Sequence, residues 1–147
     1  MHDRTARATA GFEVMRRAFA LTAALALVAA RSAFAGDFDG KHALVCAPGA
    51  AAECDTDAVC EKVGREEVDL PDALQVDFKA KLVRSPDGQR SSPIRSVEVE
   101  PAVLIVQGSQ NGRGWSMVIE RASGRLSGTI AEAEGAFVLT GSCTLAP

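Results

Sequence analysis

From Leu74 onward the chain alternates apolar and polar residues with a period of two, and short turn signals interrupt the alternation every few residues. A period of two sends successive side chains to opposite faces, so each such segment is a strand with one wet face rather than a helix. Leu74, Val76 and Phe78 alternate with Gln75, Asp77 and Lys79. Residues 81–85 continue that strand or return as its hairpin partner, and Pro86-Asp87-Gly88 turns the chain. Residues 93–100 form the next strand, with Val97 and Val99 on one side, and Pro101 ends it. Residues 102–108 are nearly all apolar, which predicts a strand covered on both faces or central. Asn111-Gly112 is a hairpin dipeptide, because both residues tolerate positive φ. Trp115, Met117 and Ile119 alternate in the strand that follows. Beyond Ser123-Gly124, Leu126, Gly128 and Ile130 point inward. Beyond Glu134-Gly135, Phe137, Leu139, Gly141 and Cys143 line one face of the last strand.

With residues 42–47 as a first short strand, the pattern yields seven or eight antiparallel strands joined by short turns, a meander. No helical pattern intervenes, so parallel βαβ units are excluded. The expected fold is therefore all-β: an up-and-down β-barrel or half-barrel, lipocalin-like in shape, with a two-sheet β-sandwich as the alternative. Glycines at 108, 128 and 141 favour the curved wall, where residues without Cβ permit sharp bends.

The N-terminal segment reads as an export signal. Arg16 and Arg17 precede 13 uncharged residues, 18–30, too few for a membrane helix and suited to a signal core. Ala33-Phe34-Ala35 supplies the small-x-small cleavage pattern, so cleavage is expected near Ala35-Gly36, with Met15 a candidate start. Arg16-Arg17-Ala18-Phe19 with Arg31 leaves the twin-arginine route open beside the general secretory one. The expected organisation is a signal peptide at 1–35 and a mature β domain at 36–147, periplasmic or secreted. Removing the signal leaves 112 residues carrying 11 basic and 17 acidic side chains, a net charge of −6. That balance disfavours nucleic acid and anionic lipid surfaces. No mature segment approaches the roughly 18 apolar residues of a membrane span.

All four cysteines, Cys46, Cys54, Cys60 and Cys143, fall in the mature part, and an even number in a small exported domain reads as two disulfides. The favoured pairing is Cys46–Cys143, joining the first and last strands, with Cys54–Cys60 closing a local loop. The rival is Cys46–Cys54 with Cys60–Cys143. No Cys-x-x-Cys occurs and His42 is the one mature histidine, so no metal is expected. Residues 48–73 read as an acidic disulfide loop. Within it, Asp55 or Thr56 can cap one or two helical turns ending at Gly64, with Val59 and Val63 on the inner side. Such a helix would hold Cys54 and Cys60 too far apart to be joined, so helix and local disulfide conflict.

The order of short motifs resembles a group of small exported proteobacterial proteins of uncharacterised function, with a four-cysteine, β-rich mature domain. The shared features are an early cysteine before an acidic loop with two more, Leu70-Pro71, Asp77-Phe78, Pro93-Ile94, Gln107-Gly108, Gly114 to Met117, Gly135 to Val138 and Gly141 to Thr144. The resemblance spans nearly the whole mature chain and implies no activity.

Chemistry-bearing constellations are sparse. Nucleophilic catalysis needs a base beside the nucleophile, and Ser92, Ser116 and Ser127 have no evident partner. No catalytic residue and no cofactor is assigned. Glu132, Glu134 and Asp77 read as surface acids, and Glu53, Asp55, Asp57 and Glu61 lack the spacing of an EF-hand loop. The candidate ligand-binding residues are Trp115, Met117, Leu126, Ile130, Phe137 and Leu139, which would line a barrel interior. The expected function is a non-catalytic exported barrel that binds a small hydrophobic ligand or a protein partner. The alternative is a structural or inhibitor-like envelope protein presenting its acidic loop, and a hydrolase stands third. A ligand binder requires a cavity of a few hundred Å3 among those residues. An interaction protein has a filled interior and an exposed patch. An enzyme gathers polar groups in a cleft, Asp77 or His42 among them.

Overall fold

The computed structural model describes residues 38–147, so the expected export signal and cleavage site lie outside the described residues. Among the described residues nine strands follow one another: β1 Leu44–Cys54, β2 Cys60–Val63, β3 Leu74–Asp77, β4 Leu82–Arg84, β5 Ser91–Val99, β6 Val103–Gln110, β7 Arg113–Glu120, β8 Arg125–Glu132 and β9 Gly135–Leu145. No helix occurs among the described residues. Every pairing is antiparallel, and β3 to β9 pair in sequence order.

The sheet closes because β1 pairs with β9 along its length, from Leu44 opposite Leu145 to Cys54 opposite Ala136. This makes an up-and-down barrel of eight strands, with β2 as an extra strand, and not a two-sheet sandwich. A register shift between Pro48 and Ala51 lets β1 serve two neighbours on its other edge. Its first part pairs with β3 (Cys46 opposite Leu74), and its last part pairs with β2 (Cys54 opposite Cys60).

Alternation places Leu44, Val76, Leu104, Val106, Ile119 and Leu126 inside, all but inaccessible to water. The apolar run of β6 is one-sided rather than covered on both faces: Leu104 and Val106 are buried, while Val103 and Ile105 are half-buried on the outer wall. One end of the barrel is closed by Phe38, whose side chain is buried. Arg121 holds the neighbouring backbone there, donating to the carbonyl oxygens of Phe38 at 3.1 Å and Glu100 at 3.0 Å. Gly124 turns the chain beside it at φ +72°, and a Cβ there would meet both the Cys143 carbonyl oxygen and the Phe38 ring.

Residues 48–64 correct two expectations. The segment is a hairpin, not a loop with helical turns, and Val59 is exposed instead of facing inward. The carboxylate of Asp55 is the reason. Its Oδ1 accepts hydrogen bonds from the amides of Asp57 at 2.9 Å and Val59 at 3.0 Å, while Ala58 sits at φ 61°. The chemistry that caps a helix here closes a tight turn instead. The hairpin sets Cys54 opposite Cys60, which removes the conflict, and the two are disulfide-bonded. Cys46 and Cys143 form the second disulfide, and no free cysteine occurs among the described residues. Both bonds are compatible with an oxidising environment.

Candidate functional site

At the end of the barrel opposite Phe38, the wall is incomplete. Among the described residues β2 has no partner beyond β1, and β3 begins only opposite Cys46. Residues 64–73 cross this gap. Their fold is set by local polar contacts: the Gly64 amide donates to Glu67 Oε1 at 2.9 Å, and Arg65 pairs with Asp72 at 3.0 Å. Val68 turns inward and is buried. Arg90, in the β4–β5 turn, straps the segment down, its Nη1 donating at 2.7 Å to both the carbonyl oxygen and Oδ1 of Asp69. That turn is itself ordered around Asp87. The Ser85 hydroxyl donates to its carboxylate, the Gln89 amide donates at 3.0 Å, and both hold the Asp87 carboxyl below its ordinary range.

Between this strap and β3–β8 lies an open cleft of about 530 Å3, within the range of about 300–1,000 Å3 typical of ligand sites. Its apolar side is formed by Val68, Leu70, Leu74, Val83, Trp115 and Ile130. Trp115 is the organising residue. On β7 it stands opposite Gly108 of β6 and Ile130 of β8. Its indole lies over Gly108, where a Cβ would collide with the ring and with the Pro93 carbonyl oxygen. It reaches as far as β5, where Nε1 donates to Ser92 Oγ at 2.7 Å. One aromatic side chain thus lies across two neighbouring strands, fixed at its polar tip.

The six sequence-derived candidates divide. Trp115 and Ile130 line the cleft. Met117, Leu126, Phe137 and Leu139 are buried side chains of the core, at 6%, 0%, 6% and 5% exposure, and form no part of the cleft lining. The candidate space is therefore a mouth above a packed interior, and not the barrel lumen. Sequence reasoning missed Val68, Leu70, Leu74 and Val83, and the polar groups that accompany them. The one available signal was a pair of aliphatic residues, Val68 and Leu70, inside an otherwise acidic stretch.

The polar lining includes Arg90, Ser91, Ser92, Gln110, Asn111 and Arg113. Arg113 shares the inward face of β7 with Trp115, and its Nε donates to Glu132 Oε2 at 2.6 Å. Arg84 also borders the cleft, and its buried Nε has no partner among the described residues. It follows buried Val83 in β4, and its Nη2 donates at 2.6 Å to Asp77 Oδ2. The Asp77 carboxyl is lowered first by the Ala80 amide and then by Arg84. Asp39, beyond the closed end, is lowered to about 2 by the amides of Lys41 and His42 and by the His42 ring, 3.1 Å away. Neither Asp77 nor His42 lines the cleft. Glu53 and Glu61 stand opposite each other in the β1–β2 hairpin, and among the described residues no three His, Cys, Asp or Glu side chains gather as a metal site. No helix among the described residues is long and apolar enough to cross a membrane.

No family model, no curated protein and no solved structure matches the chain.

Proposed function

We propose that this protein is an exported, non-catalytic β-barrel that holds a small molecule with an apolar body in its open mouth, one of the four-cysteine exported group it resembles. The observation that carries the reading is the pairing of a filled barrel with a cleft of about 530 Å3 whose wall is an anchored, half-buried Trp115. A core that needed every apolar side chain for its own packing would leave no such space. Export is supported by the n-region, apolar core and cleavage pattern of residues 1–35, and by the two disulfides in the barrel.

A second reading keeps one specific observation: the β1–β2 hairpin presents Glu53 and Glu61 on a rigid, disulfide-closed ribbon, a shape suited to a basic protein partner. The two separate by native mass spectrometry of full-length protein expressed in a bacterium and recovered from the periplasm. The ligand reading predicts a chain beginning at Gly36, two disulfides and an added mass that is shed on mild activation. A ligand-free chain, or one with four free thiols, contradicts it.

A further inference from the structure

Resting on the mouth as the ligand seat, we infer that the ligand is an amphiphile with an anionic head, a carboxylate at the end of an apolar body, and that Arg113 receives the head. Arg84, Arg90 and Arg113 line the cleft; the carboxylate that pairs with Arg113, on Glu132, does not. The pair is therefore oriented, with the anion set back and the cation forward.

Glu132 engages only Nε of Arg113, and no hydrogen bond among the described residues occupies Nη1 or Nη2. A guanidinium carries five donors in a planar fork, so those two nitrogens present the edge that matches a carboxylate. Arg90 likewise spends one nitrogen, Nη1, on Asp69 and keeps the others. Asp69 is the one acidic residue in the lining, and Arg90 occupies it. Asn111, Gln110, Ser91 and Ser92 add donors around the same rim. Ser92 Oγ accepts from the indole and retains its own proton for a ligand oxygen.

The result is a donor-rich rim over an apolar floor. Apolar contact with Trp115, Leu74, Val83 and Ile130 supplies most of the attraction, and the rim selects the sign of the head group. A cationic amphiphile would meet arginines. A neutral one would leave the guanidinium edge unpaired once the mouth is covered.

The test uses Trp115, the protein's single tryptophan, as the reporter. The mature chain, oxidised and stripped of bound material, is titrated at low salt with decanoate, decanol and decyltrimethylammonium below their aggregation thresholds. The expected result is a saturable change in Trp115 emission with decanoate, with decanol binding about tenfold more weakly, the size of one charge-assisted hydrogen bond, and the ammonium weakest. Arg113→Gln removes the preference for decanoate over decanol, while Arg113→Lys retains part of it. Arg125→Gln, at the opposite end of the barrel, changes nothing. Equal binding of decanoate and decanol, or a preference that survives Arg113→Gln in a chain with the native circular dichroism spectrum, overturns the head-group assignment and leaves the mouth as an apolar seat. Failure of all three to move the emission overturns the mouth as a ligand site altogether, and this inference with it.

Discussion

Cys46 and Cys143 stand directly opposite each other in the β1–β9 register, their Cα atoms 3.9 Å apart and their sulfurs bonded. The bond lies on the one pairing that turns an open meander into a closed barrel, joining residues 97 apart in sequence. Cys54–Cys60 spans only 6. Constraint of the unfolded chain grows with loop length, so the two should differ in stabilising effect. Replacing Cys46 and Cys143 together by alanine is expected to lower unfolding free energy by about 4–5 kcal/mol, and the Cys54/Cys60 double replacement by about 2–3 kcal/mol. Urea denaturation of each variant checks both values, and equal losses would contradict the ordering.

Gly108 and Trp115 make a second dependency. Gly108→Ala introduces a Cβ where the indole and the Pro93 carbonyl oxygen already stand. The expected loss is about 1–3 kcal/mol, as for overpacking elsewhere, with a red shift of Trp115 emission as the ring swings out. Gly114→Ala is the control. Nothing lies within 4 Å of its added Cβ, so stability should change by under about 0.5 kcal/mol.

Acid sensitivity follows from the lowered carboxyls. Asp39 falls from 3.8 to about 2, and Asp77 is lowered as well. A carboxyl whose folded pKa is depressed adds stability that is fully present above its unfolded value and is lost as pH falls through the folded one. Stability should therefore be level above pH ~5 and decline between pH ~4 and ~2. Asp39→Asn and Asp77→Asn should each flatten part of that decline in urea midpoints measured against pH. An unchanged profile in both variants would contradict the assignment.

The strap across the barrel gap hangs on Arg90. Its bonds to Asp69 are exposed, so Arg90→Ala should change global stability by less than about 1 kcal/mol. The local effect should be larger. Amide hydrogen exchange of residues 65–70 is expected to accelerate while that of β6 and β7 stays unchanged. Uniform acceleration would mean a global loss of stability, and no acceleration would mean that Arg90 does not hold the segment; either contradicts the strap.

Most of the barrel was legible because one face of β5 and of β7 to β9 is wet and alternation survives in their sequence, whereas the unbroken apolar run of β6 hid its outer face. Trp115, Met117 and Ile119, or Phe137, Leu139 and Cys143, could be assigned to one face by counting. The β1–β2 hairpin was not legible. Asp55 at the head of a short polar stretch serves a helix cap and a turn equally, and only the cross-strand partners of Ala51 to Cys54 decide between them. The mouth was half legible. Trp115 and Ile130 lie on strands and follow the alternation, but Val68, Leu70 and Arg90 lie in connections, where no periodicity reports which way a side chain turns. Nor does alternation distinguish a lumen filled by Met117, Leu126, Phe137 and Leu139 from one left empty, since both patterns bury the same residues.

The central claim is that ligand sits at the mouth, above a packed interior. Two-dimensional amide and indole NMR of residues 36–147 titrated with decanoate tests it most directly. Shifts confined to the Trp115 indole, residues 68–74, Ser91, Ser92 and Arg113 are predicted. Shifts centred on Phe38, Gly124 and the closed end, or none at saturating ligand, would contradict it.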